Sequence, residues 1–136
     1  MRKKFQTEYD KTGYDEPNLM GIVAATSAYS QGEEWFNEAK NYIYENILFA
    51  CDFIQKNCPK IRVIKPEGSY LLWLDFGGFD LSDSEINERI LNKAKVWLDS
   101  GKMFGREGEK FQRINCAAPR AILEEALKRI ALEFES

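Results

Sequence analysis

Ile61-Arg62-Val63-Ile64-Lys65-Pro66-Glu67-Gly68-Ser69-Tyr70-Leu71-Leu72-Trp73-Leu74-Asp75-Phe76 is the stretch on which the fold turns. Two runs of β-branched, aromatic and aliphatic residues, Ile61 to Ile64 and Ser69 to Phe76, flank Lys65-Pro66-Glu67-Gly68, where proline presets one turn dihedral and glycine frees another. The spacing predicts a β-hairpin. Upstream of it, Phe36, Ala39, Ile43, Ile47, Ala50 and Ile54 recur at steps of three and four between Gly32 and Asn57, and Trp35, Tyr42, Phe49 and Phe53 widen that apolar stripe. Pro59 ends this helix, because the residue before a proline disfavours helical angles. The helix is about twice the average length and could run along two domains.

Downstream, Ser82-Asp83-Ser84-Glu85 fits a capping box and opens a second helix, with Ile86, Ile90 and Ala94 as its buried face. Val96 to Leu98 and Phe111 to Ala117 predict two more short strands around a flexible loop carrying Gly101, Gly105 and Gly108. After Pro119 a third amphipathic helix turns Ile122, Leu123, Ala126, Leu127 and Ile130 inward. Glu124 and Glu125 fall in its first turn and Lys128 and Arg129 toward its end, the order that the helix dipole favours. Helix, hairpin, helix, strands, helix is an α+β pattern: a short sheet packed against helices.

At 136 residues with 44% apolar and 30% charged side chains, the chain is neither disordered nor membrane-spanning and is expected to bury one core. A net charge of -3, with Arg2-Lys3-Lys4 as the one basic cluster of note, predicts no nucleic-acid footprint. Met1 to Asp10 lacks the apolar core of a secretory signal, so the cytoplasm is the expected compartment. Cys51, Cys58 and Cys116 form no C-x-x-C pair and read as small buried hydrophobes. There is no histidine, which removes the commonest general base and the commonest metal ligand, and no metal site is expected.

The residue of greatest chemical interest is Arg113, a charge on an apolar strand between Phe111 and Ile114. Its planar guanidinium matches a carboxylate bidentately. A buried acidic partner or a helix end would satisfy it as well, and the residues by themselves favour that reading. Asn115 reads as a strand-end hydrogen bonder that orients the segment. Tyr70 and Trp73 alternate with Leu72 and Leu74, which reads as core packing with Tyr70 as a lesser substrate-facing candidate. Gly105 and Gly108 lack the Lys-Ser/Thr ending of a phosphate loop.

Four stretches together carry a resemblance. They are Glu34-Trp35 with Tyr42 and Asn46; Pro66 to Asp75; Phe104-Gly105-x-x-Gly108-x-x-Phe111-x-Arg113-Ile114-Asn115; and Pro119-Arg120 with Leu123-Glu124-Glu125-Ala126-Leu127. In this order they resemble the C-terminal region of fold-type I pyridoxal-phosphate (PLP) enzymes, in the class I/II aminotransferase family and its cystathionine β-lyase-like, carbon-sulfur lyase branch. The resemblance implies the small domain of the PLP-dependent transferase fold, entered by a long interdomain helix. Residues 1–30 would be a remnant of the large PLP-binding domain and 31–136 the small domain. Arg113 would bind the substrate α-carboxylate, with Tyr70 and Asn115 as lesser candidates.

The implied parent is a homodimer that binds PLP and acts on an amino acid. As a lyase it would expel a β-thiolate and yield ammonia and pyruvate; as an aminotransferase it would transfer the amino group, and Arg113 would serve both. The family's Schiff-base lysine follows a Ser-x-Lys pattern well before the long helix. Ser100-Gly101-Lys102 spells that pattern but lies on the wrong domain. No catalytic or cofactor-binding residue is therefore expected in this chain, and the chain alone is expected to be cofactor-free and inactive. The competing reading is a free-standing, non-catalytic α+β module that binds a small carboxylate or a protein partner.

Overall fold

The computed structural model describes residues 2–13 and 17–135. The chain forms two compact units, Met1–Glu38 and Ala39–Ser136. The first holds α1 (Arg2–Asp10), α2 (Leu19–Gln31) and the opening turns of α3 (Glu33–Asn57). Neither α1 nor α2 follows from the three-helix reading of the sequence. The first is short, with only Phe5 and Tyr9 as large apolar groups on one side, and the second is apolar on nearly all sides and so lacks the 3.6-residue periodicity that betrays a helix. What starts α2 is a cap: the Asn18 side chain accepts from Gly21 N at 2.7 Å. Leu19, Met20, Ile22, Val23 and Tyr29 along it are all exposed.

In the second unit a four-stranded antiparallel sheet has the order β1-β2-β4-β3. Its strands are β1 (Arg62–Ile64), β2 (Leu71–Asp75), β3 (Asp99–Ser100) and β4 (Phe111–Asn115). The hairpin pairs Ile64 with Trp73, Trp73 sits opposite Arg113 on β4, and Arg113 sits opposite Asp99 on β3. Alternation along β2 and β4 sends Leu72, Leu74, Gln112 and Ile114 to a buried face. There they join one core with Ile47, Ala50 and Ile54 of α3, Ile86 and Ile90, and Leu123, Leu127, Ile130 and Phe134 of α5 (Arg120–Phe134). Phe134 closes that core against Phe76 and Phe79, with ring centroids 4.8 and 5.2 Å apart.

The capping box is formed as read: Glu85 N donates to Ser82 Oγ at 3.3 Å and Ser82 N to Glu85 Oε2 at 2.8 Å, opening α4 (Asp83–Glu88). That pair holds the Glu85 carboxyl below its ordinary range, chiefly through the Ser82 hydroxyl. The helix then widens into a π turn, Arg89–Lys93, and ends where Lys95 takes a left-handed φ of 56° and Val96 N reaches back to Ile90 O.

Three local expectations are corrected. Val96 to Leu98 is coil leading out of that left-handed turn, and the chain joins the ladder only at Asp99. Ile122 is exposed, because the inward stripe of α5 runs through Leu123, Leu127, Ile130, Ala131 and Phe134. Glu124 and Glu125 lie past the first turn of α5 and pair with Lys128 and Arg129 four residues on, at 2.6 and 2.8 Å. These are exposed pairs that contribute little to stability.

The cysteines are as the sequence suggested for Cys58 and Cys116, which are buried, while Cys51 is half-buried. Burial pushes all three thiols up, that of Cys116 to about 12. They are packing groups and not nucleophiles.

One buried polar group ties the end of β4 to α3. Asn46, fully buried, donates through Nδ2 to Cys116 O and Ala118 O at 2.9 and 2.8 Å and accepts from Arg120 Nε at 2.6 Å. Tyr42, one turn earlier, accepts from Arg120 N at 2.7 Å, and the Arg120 guanidinium lies 4.5 Å from the Phe49 ring. The Tyr42, Asn46 and Pro119-Arg120 motifs are thus one joint, which fixes where α5 starts and where β4 ends.

Candidate functional site

The face of the sheet turned away from the core carries Trp73 from β2 and Phe111, Arg113 and Asn115 from β4. Arg113 is central. Its Nε and Nη2 both donate to Asp99 Oδ2, at 3.1 and 2.7 Å. Phe104 covers one face of the guanidinium, with Cζ 4.3 Å from the ring centroid. Trp73 meets Phe104 and Phe111 edge to face at 5.3 and 6.2 Å. The side chain of Arg113 is 25% exposed and that of Asp99 41%, so the pair can be reached from solvent. The acidic partner allowed by the bare sequence is therefore present, but it is half-exposed and takes only one edge of the fork.

The loop that delivers Phe104 comprises two 3-10 turns, Gly101–Phe104 and Arg106–Gly108. Its glycines are needed for contact more than for looseness. A Cβ on Gly101 would meet the Gly108 carbonyl, Phe111 Cβ at 2.8 Å and Phe111 O at 2.9 Å, and a Cβ on Gly108 would meet the Gly101 backbone. Gly105 between them sits at φ 135°, a conformation that side chains rarely adopt. The backbones at the two ends of the loop touch, and neither end tolerates a side chain unless something shifts.

A buried polar chain holds the loop to the sheet from below. Asp83 accepts from Lys110 N at 2.9 Å and from Asn87 Nδ2 at 3.0 Å, and Asn87 Oδ1 accepts from Gln112 Nε2 at 3.0 Å. Lys110 takes a left-handed φ of 64° to make its bond. The residues on both sides of Phe111 are thus anchored, and Arg113 projects from a strand with little freedom.

Lys102, the lysine of the Ser-x-Lys spelling, lies 3.2 Å from Glu109 Oε1 and 3.7 Å from Asp83 Oδ2. The hydrogen bond to Glu109, then the charges of Glu109 and Asp83, push its ammonium pKa up.

Of the other residues read from the sequence, Asn115 Oδ1 accepts from Ala117 N at 2.7 Å, a local turn at the strand end. Tyr70 precedes β2, and its carbonyl accepts from Cys116 N at 2.8 Å. Tyr70 and Trp73 are three residues apart, so in a period of two they do not share a face. Trp73 goes with Arg113, whereas Tyr70 falls on the parity of Leu72 and makes no bond to Arg113. Sequence reasoning missed Asp99 and Phe104. The pairing of a two-residue strand and a ring folded over from a loop are nonlocal and leave no periodic trace. Among the described residues no group of three or more Cys, Asp and Glu is placed to hold a metal, and no helix is long and apolar enough to cross a membrane.

No family model matches the chain. Known proteins do. Cystathionine beta-lyase PatB of Bacillus subtilis is 39% identical over 129 residues, covering 95% of this chain and 33% of that protein. A PLP-bound protein of Clostridium difficile 630 superposes with a TM-score of 0.89 at 40% identity, covering 98% of this chain and 35% of its own. Cystalysin of Treponema denticola, which contains PLP, superposes with a TM-score of 0.87 at 30% identity, covering 97% and 34%. The chain thus spans about a third of the length of the relatives it matches. Nearly all of it is matched, in the same α+β architecture. Over nearly its whole length the chain is thus similar to one part of PLP-containing enzymes of the cystathionine β-lyase and aminotransferase kind, and it shares their fold there.

Proposed function

We propose that this chain supplies the substrate-carboxylate site of a PLP-dependent carbon-sulfur β-lyase or aminotransferase that acts on amino acids. The observation that carries the reading is the state of Arg113. Asp99 occupies Nε and one N–H of Nη2, and the Nη1/Nη2 edge is left without a partner among the described residues. That edge offers two parallel N–H groups to a planar anion, the arrangement a carboxylate fits. Trp73, Phe104 and Phe111 around it lower the local dielectric and strengthen the attraction. Asn115 holds the strand end in this role.

The cofactor of the family is PLP, which supplies an electron sink for the charge left when a bond to the amino acid's α-carbon breaks. Lys102, the lysine of the Ser-x-Lys spelling, is engaged by Glu109 and Asp83 at the foot of the loop and lies outside the Arg113 face, which supports an anchor elsewhere. The proposal therefore places the anchoring lysine in a large domain to which residues 1–30 belong, with 31–136 as the small domain. It makes the chain alone inactive. A homodimeric state and a cytoplasmic location belong to the same proposal. The apolar surface that α2 exposes supports a buried role for that helix in the assembled protein.

Two measurements test this. The full-length protein that carries this chain is expected to release pyruvate and ammonia from cystathionine or a cysteine conjugate, or to transfer the amino group to a keto acid. Activity with neither class of substrate would overturn the reading in favour of a non-catalytic carboxylate-binding module. The 136-residue chain, mixed with PLP and reduced with borohydride, is expected to show no stoichiometric adduct by mass spectrometry. A single lysine carrying PLP, Lys102 above all, would contradict it.

A further inference from the structure

We infer that Asp99 is a positioning residue, which holds Arg113 by one edge so that the opposite edge is presented to a carboxylate ligand; this rests on the carboxylate-site reading of Arg113. A guanidinium has two edges that can grip a carboxylate, the side edge of Nε and Nη2 and the end edge of Nη1 and Nη2. A free arginine rotates between them, and each ligand that binds must stop that rotation. Here the side edge is already taken. Both Nε and Nη2 converge on the single oxygen Asp99 Oδ2, at 3.1 and 2.7 Å. Asp99 is itself fixed, because its backbone is in β3 and pairs with Arg113 across the ladder.

Phe104 blocks one face of the guanidinium, 4.3 Å from Cζ to the ring centroid. One edge and one face are covered, and the end edge remains. The same aspartate brings a second negative charge close to where the ligand's carboxylate would sit, which opposes binding. Two effects of opposite sign therefore act through one residue, and removing it decides between them. If Asp99 were chiefly a rival for the guanidinium, its removal would tighten carboxylate binding. If it positions, removal weakens binding although the site becomes more positive. The geometry favours the second outcome, since the rival's edge and the ligand's edge are different.

The test uses the 136-residue chain and acetate as the probe, followed through the Arg113 side-chain Nε–H resonance by NMR. Wild type, Asp99→Asn, Asp99→Ala and Arg113→Ala are compared, with backbone spectra confirming that the sheet is intact. Acetate affinity is expected to fall about three- to tenfold in Asp99→Ala, the effect of one net hydrogen bond, with Asp99→Asn in between because its amide oxygen still accepts. Exchange of the Arg113 Nε–H with water is expected to accelerate in the same order, without acetate. Equal or tighter acetate binding in the Asp99 variants, with Arg113 still responding, would overturn the positioning role alone. A wild-type chain whose Arg113 resonance ignores acetate, or an Arg113→Ala chain that binds it equally well, would instead overturn the carboxylate-site reading and this inference with it.

Discussion

Replacing Arg113 by alanine in the full-length protein is expected to lower kcat/KM for an α-amino acid by a factor of about 30 to 5,000. The range follows from the roughly 2 to 5 kcal/mol lost when one partner of a desolvated charge pair is removed, at about 1.4 kcal/mol per factor of ten. Two groups lose their counterpart at once. The substrate carboxylate meets no cation, and Asp99, which receives two N–H bonds from Arg113, is left facing it as a second anion. Lysine restores the charge but not the fork: it cannot bond Asp99 through one edge and a ligand through the other while Phe104 covers its face. Arg113→Lys should recover only part of the loss. Absorbance of bound PLP should be unchanged in both variants, because the proposed function puts the carboxylate site on this chain and the anchoring lysine outside it. An alanine variant with unaltered kcat/KM and an intact fold would return Arg113 to a structural role, as the partner of Asp99 and no more.

The largest effect on stability is expected at Asn46. Leucine there keeps the branching but is bulkier, so it adds crowding, and it strands the Cys116 and Ala118 carbonyls and the Arg120 Nε–H. A buried polar group left unsatisfied costs about 1 to 3 kcal/mol. Arg120 keeps the Phe49 ring and its backbone bond to Tyr42, so its share is small. We expect a loss of about 3 to 5 kcal/mol from Asn46→Leu, a large part of the 5 to 15 kcal/mol that a typical domain has. Asn46→Asp separates donor from size. It retains the bond to Arg120 but turns carboxylate oxygens toward two carbonyls, and it should destabilise comparably. Urea unfolding of the chain and its variants measures both. A shift worth less than about 1 kcal/mol for leucine would mean that solvent reaches the joint and satisfies the carbonyls.

Which parts of this could be read from the sequence depends on how local each feature is. The α3 stripe, the hairpin and the Ser82 capping box are set by residues within a turn or two of one another, and all three appear where periodicity and punctuation place them. The helix α2 escaped because Leu19, Met20, Ile22, Val23, Ala24 and Ala25 surround its axis with apolar groups and leave no stripe to detect. The strand expected at Val96 to Leu98 was displaced to Asp99–Ser100 because the left-handed turn at Lys95 lies in the way, and nothing in the residue types announces it. At the site, Arg113 stood out in the sequence as a charge on an apolar strand, but the residues alone favoured a structural partner, which Asp99 supplies, and the carboxylate role came from the resemblance. Its surroundings were not legible: Asp99 is 14 residues away and meets it through a two-residue ladder, and Phe104 is folded back across the guanidinium by a loop whose glycines looked like slack.

The touching backbones of Gly101 and Gly108 make the six residues between them a detour that returns to its starting point. A closed excursion of this kind is modular. Its length and composition can drift over evolutionary time, or be exchanged by an engineer, without changing the register of β3 against β4, because the clasp closes the excursion between the two strands. Lys102 to Glu107 is thus the segment through which a lineage could retune what sits over the guanidinium, Phe104 included, while the pairing of Arg113 with Asp99 across the strands stays the same. Recognition of the common part of an amino acid and discrimination of its variable part would then be inherited separately, one in the sheet and the other in the loop.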